Sequence, residues 1–173
     1  MKKILLVFGT RPEAIKMCPM AQALRTDSRF QPIVCVTAQH RQMLDQILDL
    51  FAIKPEYDLN LMLPGQTLAG LTSRIIDSVT PVLKEVRPDA ILVQGDTTTT
   101  FASALAAFYE NVPIGHLEAG LRTGDIRAPF PEEMNRVLTT RIASWHFAAT
   151  PRNRETLLAE GVPSENVFVT GNS

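Results

Sequence analysis

The stretch Ile4-Leu5-Leu6-Val7-Phe8-Gly9-Thr10-Arg11-Pro12-Glu13-Ala14-Ile15 decides the fold. The uninterrupted apolar run 4–8 is the pattern of a strand buried on both faces. A tight turn at Gly9-Thr10 leads into a helix that opens with a proline, whose missing N–H costs nothing at a first helical position. The turn sets an arginine and free backbone N–H groups at a helix N-terminus, which attracts anions. Its spacing fits neither G-x-G-x-x-G nor G-x-x-x-x-G-K-[ST]. The unit therefore points away from NAD and ATP and toward another phosphate-bearing ligand.

The same unit recurs outward along the chain. Apolar runs at 33–36, 90–93, 112–117, 145–149 and 167–169 alternate with amphipathic stretches. Pro113 falls near the start of its run, where a strand tolerates it. Helical spacing is read in 40–51 from Met43, Leu44, Ile47, Leu48 and Phe51. It is read in 67–86 from Leu68, Leu71, Ile75, Val79, Val82, Leu83 and Val86, and in 131–142 from Met134, Val137, Leu138 and Ile142. Segment 98–109, Ala- and Phe-rich nearly all round, predicts a heavily buried helix. Pro81 predicts a kink, and Pro19 a break or kink in 11–25. The alternation predicts right-handed crossovers and a parallel sheet of at least six strands. With helices on both faces, this is a Rossmann-like three-layer α/β domain. The polar, Gly-containing stretch 119–130 has the length of a functional or mobile loop.

The 173 residues are 45% hydrophobic, and 17 Lys and Arg balance 18 Asp and Glu for a net charge of -1. Mean hydropathy is +0.04. This length builds one domain with a substantial core. The charge balance leaves no footprint for nucleic acid or an anionic membrane surface. No apolar stretch approaches the ~18 residues of a membrane span. The short apolar start lacks the cleavage site of a signal peptide. Cys18 and Cys35 read as small core residues of a protein in a reducing compartment, with no further thiol or histidine at metal-ligand spacing. A strand at 167–169 followed by Thr170-Gly171-Asn172-Ser173 is where a next element begins, so the sequence is expected to be a piece of a longer protein.

Ligands of doubly wound sheets bind beyond the carboxyl ends of the strands, and polar clusters fall at such ends here. They are Gly9-Thr10-Arg11 with Glu13 and Lys16, Gln39-His40-Arg41-Gln42, Gln94-Gly95-Asp96-Thr97, and His116 to Arg122. A further cluster, Pro131 to Arg136, opens the helix after the long loop. Carboxylates with arginines nearby suit acid/base work beside an anionic ligand. Each also has a plainer reading. Asp96 suits a helix N-cap. Glu132 and Glu133 suit a first helical turn, and Glu132 with Arg136 makes an i,i+4 pair. His116 and His146 suit satisfied core positions, and the Arg41 cluster a solvated helix start. Glu118 is hardest to reduce in this way, because it ends an apolar strand immediately before Ala119-Gly120.

Taken together, Phe8 to Met17, Val36 to Gln46, Gln94 to Thr100, Gly115 to Thr123 and Phe130 to Arg136 resemble the non-hydrolysing bacterial UDP-N-acetylglucosamine 2-epimerases, in order and across the whole chain. The resemblance implies the N-terminal half of a GT-B-type fold, with a C-terminal UDP-binding domain absent from this sequence and a cleft between the halves. It implies interconversion of UDP-GlcNAc and UDP-ManNAc by elimination and re-addition of UDP, with proton transfer at C2 and neither metal nor nicotinamide. Asp96, Glu118 and Glu132 match carboxylates implicated in the acid/base steps, and Arg11 and Lys16 match basic residues near the diphosphate. His116 and Arg136 stand in matching motifs as substrate-binding candidates. Gln39 and Gln42 match a second, activating UDP-GlcNAc site of some members, of which an arginine is replaced near Gly65. Ser173 stands where Thr is usual. A cytoplasmic homodimer is implied for the full-length enzyme. A GT-B glycosyltransferase half and a non-catalytic nucleotide-sugar-binding module are the alternative readings.

Overall fold

A computed structural model describes residues 1–38, 41–61 and 63–172. The run 4–8 lies within β1 (Lys2–Phe8), which leads through α1 (Arg11–Thr26) to β2 (Phe30–Val36). The chain continues through α2 (Arg41–Leu50), β3 (Tyr57–Asp58), α3 (Leu68–Val86) and β4 (Ala90–Gln94). It then passes α4 (Thr98–Tyr109), β5 (Ile114–Ala119), α5 (Glu132–Ile142), β6 (Trp145–Ala148), α6 (Pro151–Ala159) and β7 (Val167–Val169). The strands form one sheet in the order β3-β2-β1-β4-β5-β6-β7, and every neighbouring pair is parallel.

The alternation along β1 shows why its apolar run is continuous. Leu5 and Val7 pack with α3 and α4 on one face, while Ile4, Leu6 and Phe8 pack with α1 and α2 on the other. A strand sandwiched in this way has no polar side. Beyond α1 the second face is open over β4, β5 and β6, where Leu92, Leu117, Trp145 and Phe147 line a groove of about 620 Å³. Among the described residues, no helix is long and apolar enough to cross a membrane.

Neither helical proline breaks its helix: α1 runs through Pro19 and α3 through Pro81. A proline leaves the carbonyl four residues earlier without its helical partner. Those residues are Ile15 and Asp77, and both are exposed. Two elements go beyond the sequence reading. Strand β3 has only two residues, too few to show a period. Helix α6 buries only Leu157, so it has no apolar stripe; its start is set by Thr150, whose hydroxyl accepts from the Asn153 N–H.

The strand order reverses between β1 and β4, since the chain leaves one toward β2 and the other toward β5. Such a switch point opens a crevice above the carboxyl ends. Gly9 turns the chain beneath one side of this crevice, and only glycine fits there. A β-carbon there would run into Thr37 Oγ1 and lie 2.9 Å from Thr99 Oγ1, and these two hydroxyls are themselves 3.0 Å apart. Gly9→Ala is expected to destabilise the protein by about 1–3 kcal/mol, the usual cost of overpacking. Thermal unfolding of the variant checks this, and an unchanged Tm would refute it.

Candidate active site

The crevice at the switch point has a volume of about 260 Å³ and is bounded by the β1–α1 turn, the β4–α4 turn, the end of β5 and the start of α5. Arg11 and Asp96 follow β1 and β4, and Glu118 lies at the carboxyl end of β5; these neighbouring strands are parallel, so the three share one rim of the sheet. Arg11 is exposed and stands outside the crevice lining, whereas Lys16, one turn further along α1, lines it.

Glu118 owes its direction to a backbone irregularity. Leu117 pairs with Phe147 and Ala119 with Ala148, so Glu118 is an extra residue bulged out of the β5–β6 ladder. Its φ is +60°, a left-handed conformation that a glutamate adopts at a cost. Bulges of this kind re-aim a side chain. The re-aimed carboxylate takes Lys16 Nζ at 2.5 Å and the Gln94 side-chain amide on the same oxygen.

Asp96 is not the cap of α4. Thr97 is, its Oγ1 accepting from the Thr100 N–H at 3.1 Å. A hydroxyl serves a cap as well as a carboxylate does, which leaves the Asp96 carboxyl facing the crevice. Burial pushes its pKa up, and Glu132 and Glu118 push the same way, while Arg136 and Lys16 oppose them. Arg136 Nη2 stands 3.4 Å from Asp96 Oδ2.

The expected Glu132–Arg136 pair does not form between side chains. Arg136 is only 5% exposed and turns its Nε to Glu133 Oε2 at 3.0 Å, a charge contact without hydrogen-bond geometry. The other oxygen of Glu133 accepts from the N–H groups of Thr123 and Gly124, fastening the long loop to α5. Glu132 is half-buried, and its Oε2 is buried with no hydrogen-bond partner among the described residues. Of the two adjacent acids, Glu133 is structural and Glu132 is left uncommitted.

His116, a substrate-binding candidate by sequence, is fully buried inside β5 and reaches no crevice surface. Its Nε2 bonds the Gly95 carbonyl at 2.7 Å. His146 is also buried, with Nε2 3.1 Å from the Thr140 carbonyl. Gln39 lies outside the described residues, as does His40. Gln42 is exposed on the first turn of α2, where Arg41 is engaged by Asp45 and Asp58.

Glu13, grouped by sequence only with the polar cluster after the first strand, is the third position after the Thr10 cap and closes a capping box with it. It does more. Its Oε2 accepts from Gly9 N, Thr10 N and Thr10 Oγ1, and its Oε1 from the hydroxyl of Thr97.

A family model described as UDP-N-acetylglucosamine 2-epimerase matches residues 22–173. The chain belongs to this family. A Salmonella typhimurium protein named UDP-N-acetylglucosamine 2-epimerase is 58% identical over 171 residues, covering 99% of this chain and 46% of that protein. The crystal structure of UDP-GlcNAc 2-epimerase from Neisseria meningitidis bound to UDP-GlcNAc superposes with a TM-score of 0.96 at 56% identity, over 98% of this chain and 46% of that one. Acinetobacter baumannii MurG, at 18% identity and a TM-score of 0.66, shares the fold alone. This epimerase-family chain thus spans about half the length of the curated relatives it matches.

Burial depresses the His116 pKa from 6.5 to about 4, although the bond to Gly95 works the other way. Between those values the unfolded chain binds a proton that the folded one does not. Stability therefore rises with pH across that window and is lost as pH falls through it, by up to about 3 kcal/mol. Denaturant unfolding at a series of pH values is expected to show a shallower slope in His116→Gln than in the parent. Identical slopes would refute the assignment.

Proposed function

We propose that residues 1–173 form the N-terminal domain of an enzyme that interconverts UDP-GlcNAc and UDP-ManNAc. In this reading one crevice carboxylate removes the C2 proton as the C1–O bond breaks and UDP leaves with the bonding electrons. A 2-acetamidoglucal remains. A proton then returns to C2 from the opposite face, and the UDP oxygen re-adds to C1. The observation that carries the reading is the bulge at Glu118, a strained backbone that presents a carboxylate beside Lys16 and Gln94. Asp96 suits a proton acceptor or donor because burial raises its pKa toward neutrality. Glu132 supplies a further carboxylate oxygen with no internal partner. Lys16, held on Glu118, is the cation available to a departing diphosphate. Arg11, exposed on the rim, is placed to meet the same anion from outside the crevice.

In the proposed enzyme a second, C-terminal domain closes the cleft and supplies most of the uridine and diphosphate contacts. The full-length enzyme is proposed to be a homodimer, which sedimentation of the full chain checks. Cys18 and Cys35 are both buried and unpaired, and free cysteines support placement in a reducing compartment such as the cytoplasm.

In the full chain, Asp96→Asn, Glu118→Gln and Glu132→Gln are each expected to lower kcat by roughly 10²–10⁴ with little change in Tm. The active enzyme should place solvent deuterium at C2 of its product. Near-normal kcat in all three variants would remove the acid/base assignment. Transfer of the sugar to an acceptor without UDP-ManNAc would replace the reaction.

Residues 1–173 alone are expected to give no measurable epimerisation. Without the opposite wall the substrate is not held for proton transfer. Turnover by the isolated segment at a rate near that of the full chain would sink this two-wall reading.

A further inference from the structure

The turn between β4 and α4 is held in an unusual way. Its three successive carbonyls, those of Gln94, Gly95 and Asp96, each accept from a side chain of a different element. Thr100 Oγ1 of α4 donates to the Gln94 carbonyl at 2.6 Å. His116 Nε2 of β5 lies 2.7 Å from the Gly95 carbonyl. Asn135 Nδ2 of α5 donates to the Asp96 carbonyl at 2.9 Å. All three side chains are buried. Carbonyls of a surface turn ordinarily bond water or neighbouring backbone.

A carbonyl only accepts, so His116 must carry its proton on Nε2. That choice leaves Nδ1 buried with no partner among the described residues. A residue serving packing alone would be better replaced by leucine, which has no polar atom to strand. Gly95, at φ +75° and without a β-carbon, gives the turn the latitude that makes such restraint consequential.

The placement of the two donors is informative. His116 is two residues before Glu118 on the same strand, and Asn135 lies between Glu132 and Arg136 on the same helix. Each bond therefore ties the Asp96 backbone to an element that presents another proposed catalytic group. We infer that His116 and Asn135 are positioning residues which register the Asp96 carboxylate against Glu118 and Glu132. The inference rests on the epimerase reading for its catalytic consequence and on the carbonyl bonds for its geometry.

The test uses the full chain that carries this segment. His116→Leu removes the donor, whereas His116→Gln keeps an amide donor of similar reach. His116→Leu is expected to lower kcat roughly 10–100-fold, the effect of a misplaced catalytic group, with KM little changed. The acid limb of its kcat–pH profile should shift, because the surroundings of Asp96 change. His116→Gln should restore most of the rate and the parental profile, and Asn135→Leu should repeat the defect. His116→Leu at the parental rate would overturn the inference, while a dead Asp96→Asn beside it would leave the epimerase reading standing. Equal losses in the Leu and Gln variants with an unmoved pH profile would mean packing only, and would also overturn it.

If the parent enzyme itself forms no UDP-ManNAc, the epimerase reading fails. The clamp is then decided by carbon-13 titration of the Asp96 carboxyl in the full chain. An apparent pKa that moves in His116→Leu but not in His116→Gln supports it, and an unmoved pKa in both overturns it. Should the Leu variant not fold, the nitrogen-15 shifts of His116 in the parent decide. A neutral ring protonated on Nε2 down to about pH 5 is expected, and an Nδ1–H ring overturns the inference.

Discussion

Glu13 joins the two turns that make the crevice. It is 1% exposed, and its oxygens take the N–H groups of Gly9 and Thr10 on one side and the hydroxyl of Thr97 on the other. A buried carboxylate is tolerated only when its lone pairs are met. Here burial pushes its pKa up and these bonds pull it back. Neither turn can move without stranding that carboxylate. The β1 and β4 ends are adjacent strands, so this one group sets the width of the switch-point crevice from inside the protein.

Around it the site is layered. The side chains that hold backbone, Glu13, Glu133, His116 and Asn135, are nearly or fully buried. Those that line the crevice, Lys16, Asp96 and Glu118, are intermediate in exposure, as is Glu132 at the start of α5. Arg136 spans the two layers, lining the crevice while its guanidinium is shared between Asp96 and Glu133. Rigid support beneath a polar surface lets charged groups sit near one another without rearranging when a ligand arrives.

Much of this was legible in the sequence. Continuous apolar runs of Val, Ile and Leu announce the strands, although β4, β5 and β6 leave one face open, and the polar residues after them mark the rim. Local features that depend on which of two neighbours serves the backbone were not. Asp96 and Thr97 are both good caps, and only the fold shows that the hydroxyl takes the task. Glu132 and Glu133 are chemically alike, and the helix phase relative to the 119–130 loop decides which is buried. His116 in an apolar strand reads equally as core or ligand, because its partner is a carbonyl of a remote turn. Strand β3 and helix α6 were missed because one is too short for a period and the other buries a single leucine.

The bulge at Glu118 sets folding and chemistry against each other at one residue. A left-handed conformation costs a glutamate about 1–2 kcal/mol relative to glycine, so the fold alone favours a residue without a β-carbon there. Retaining the carboxylate means accepting that strain. Position 118 is therefore where selection for thermal robustness, applied without selection for turnover, has reason to drift toward glycine. A chain improved in that way would keep its sheet and lose the group the bulge exists to present.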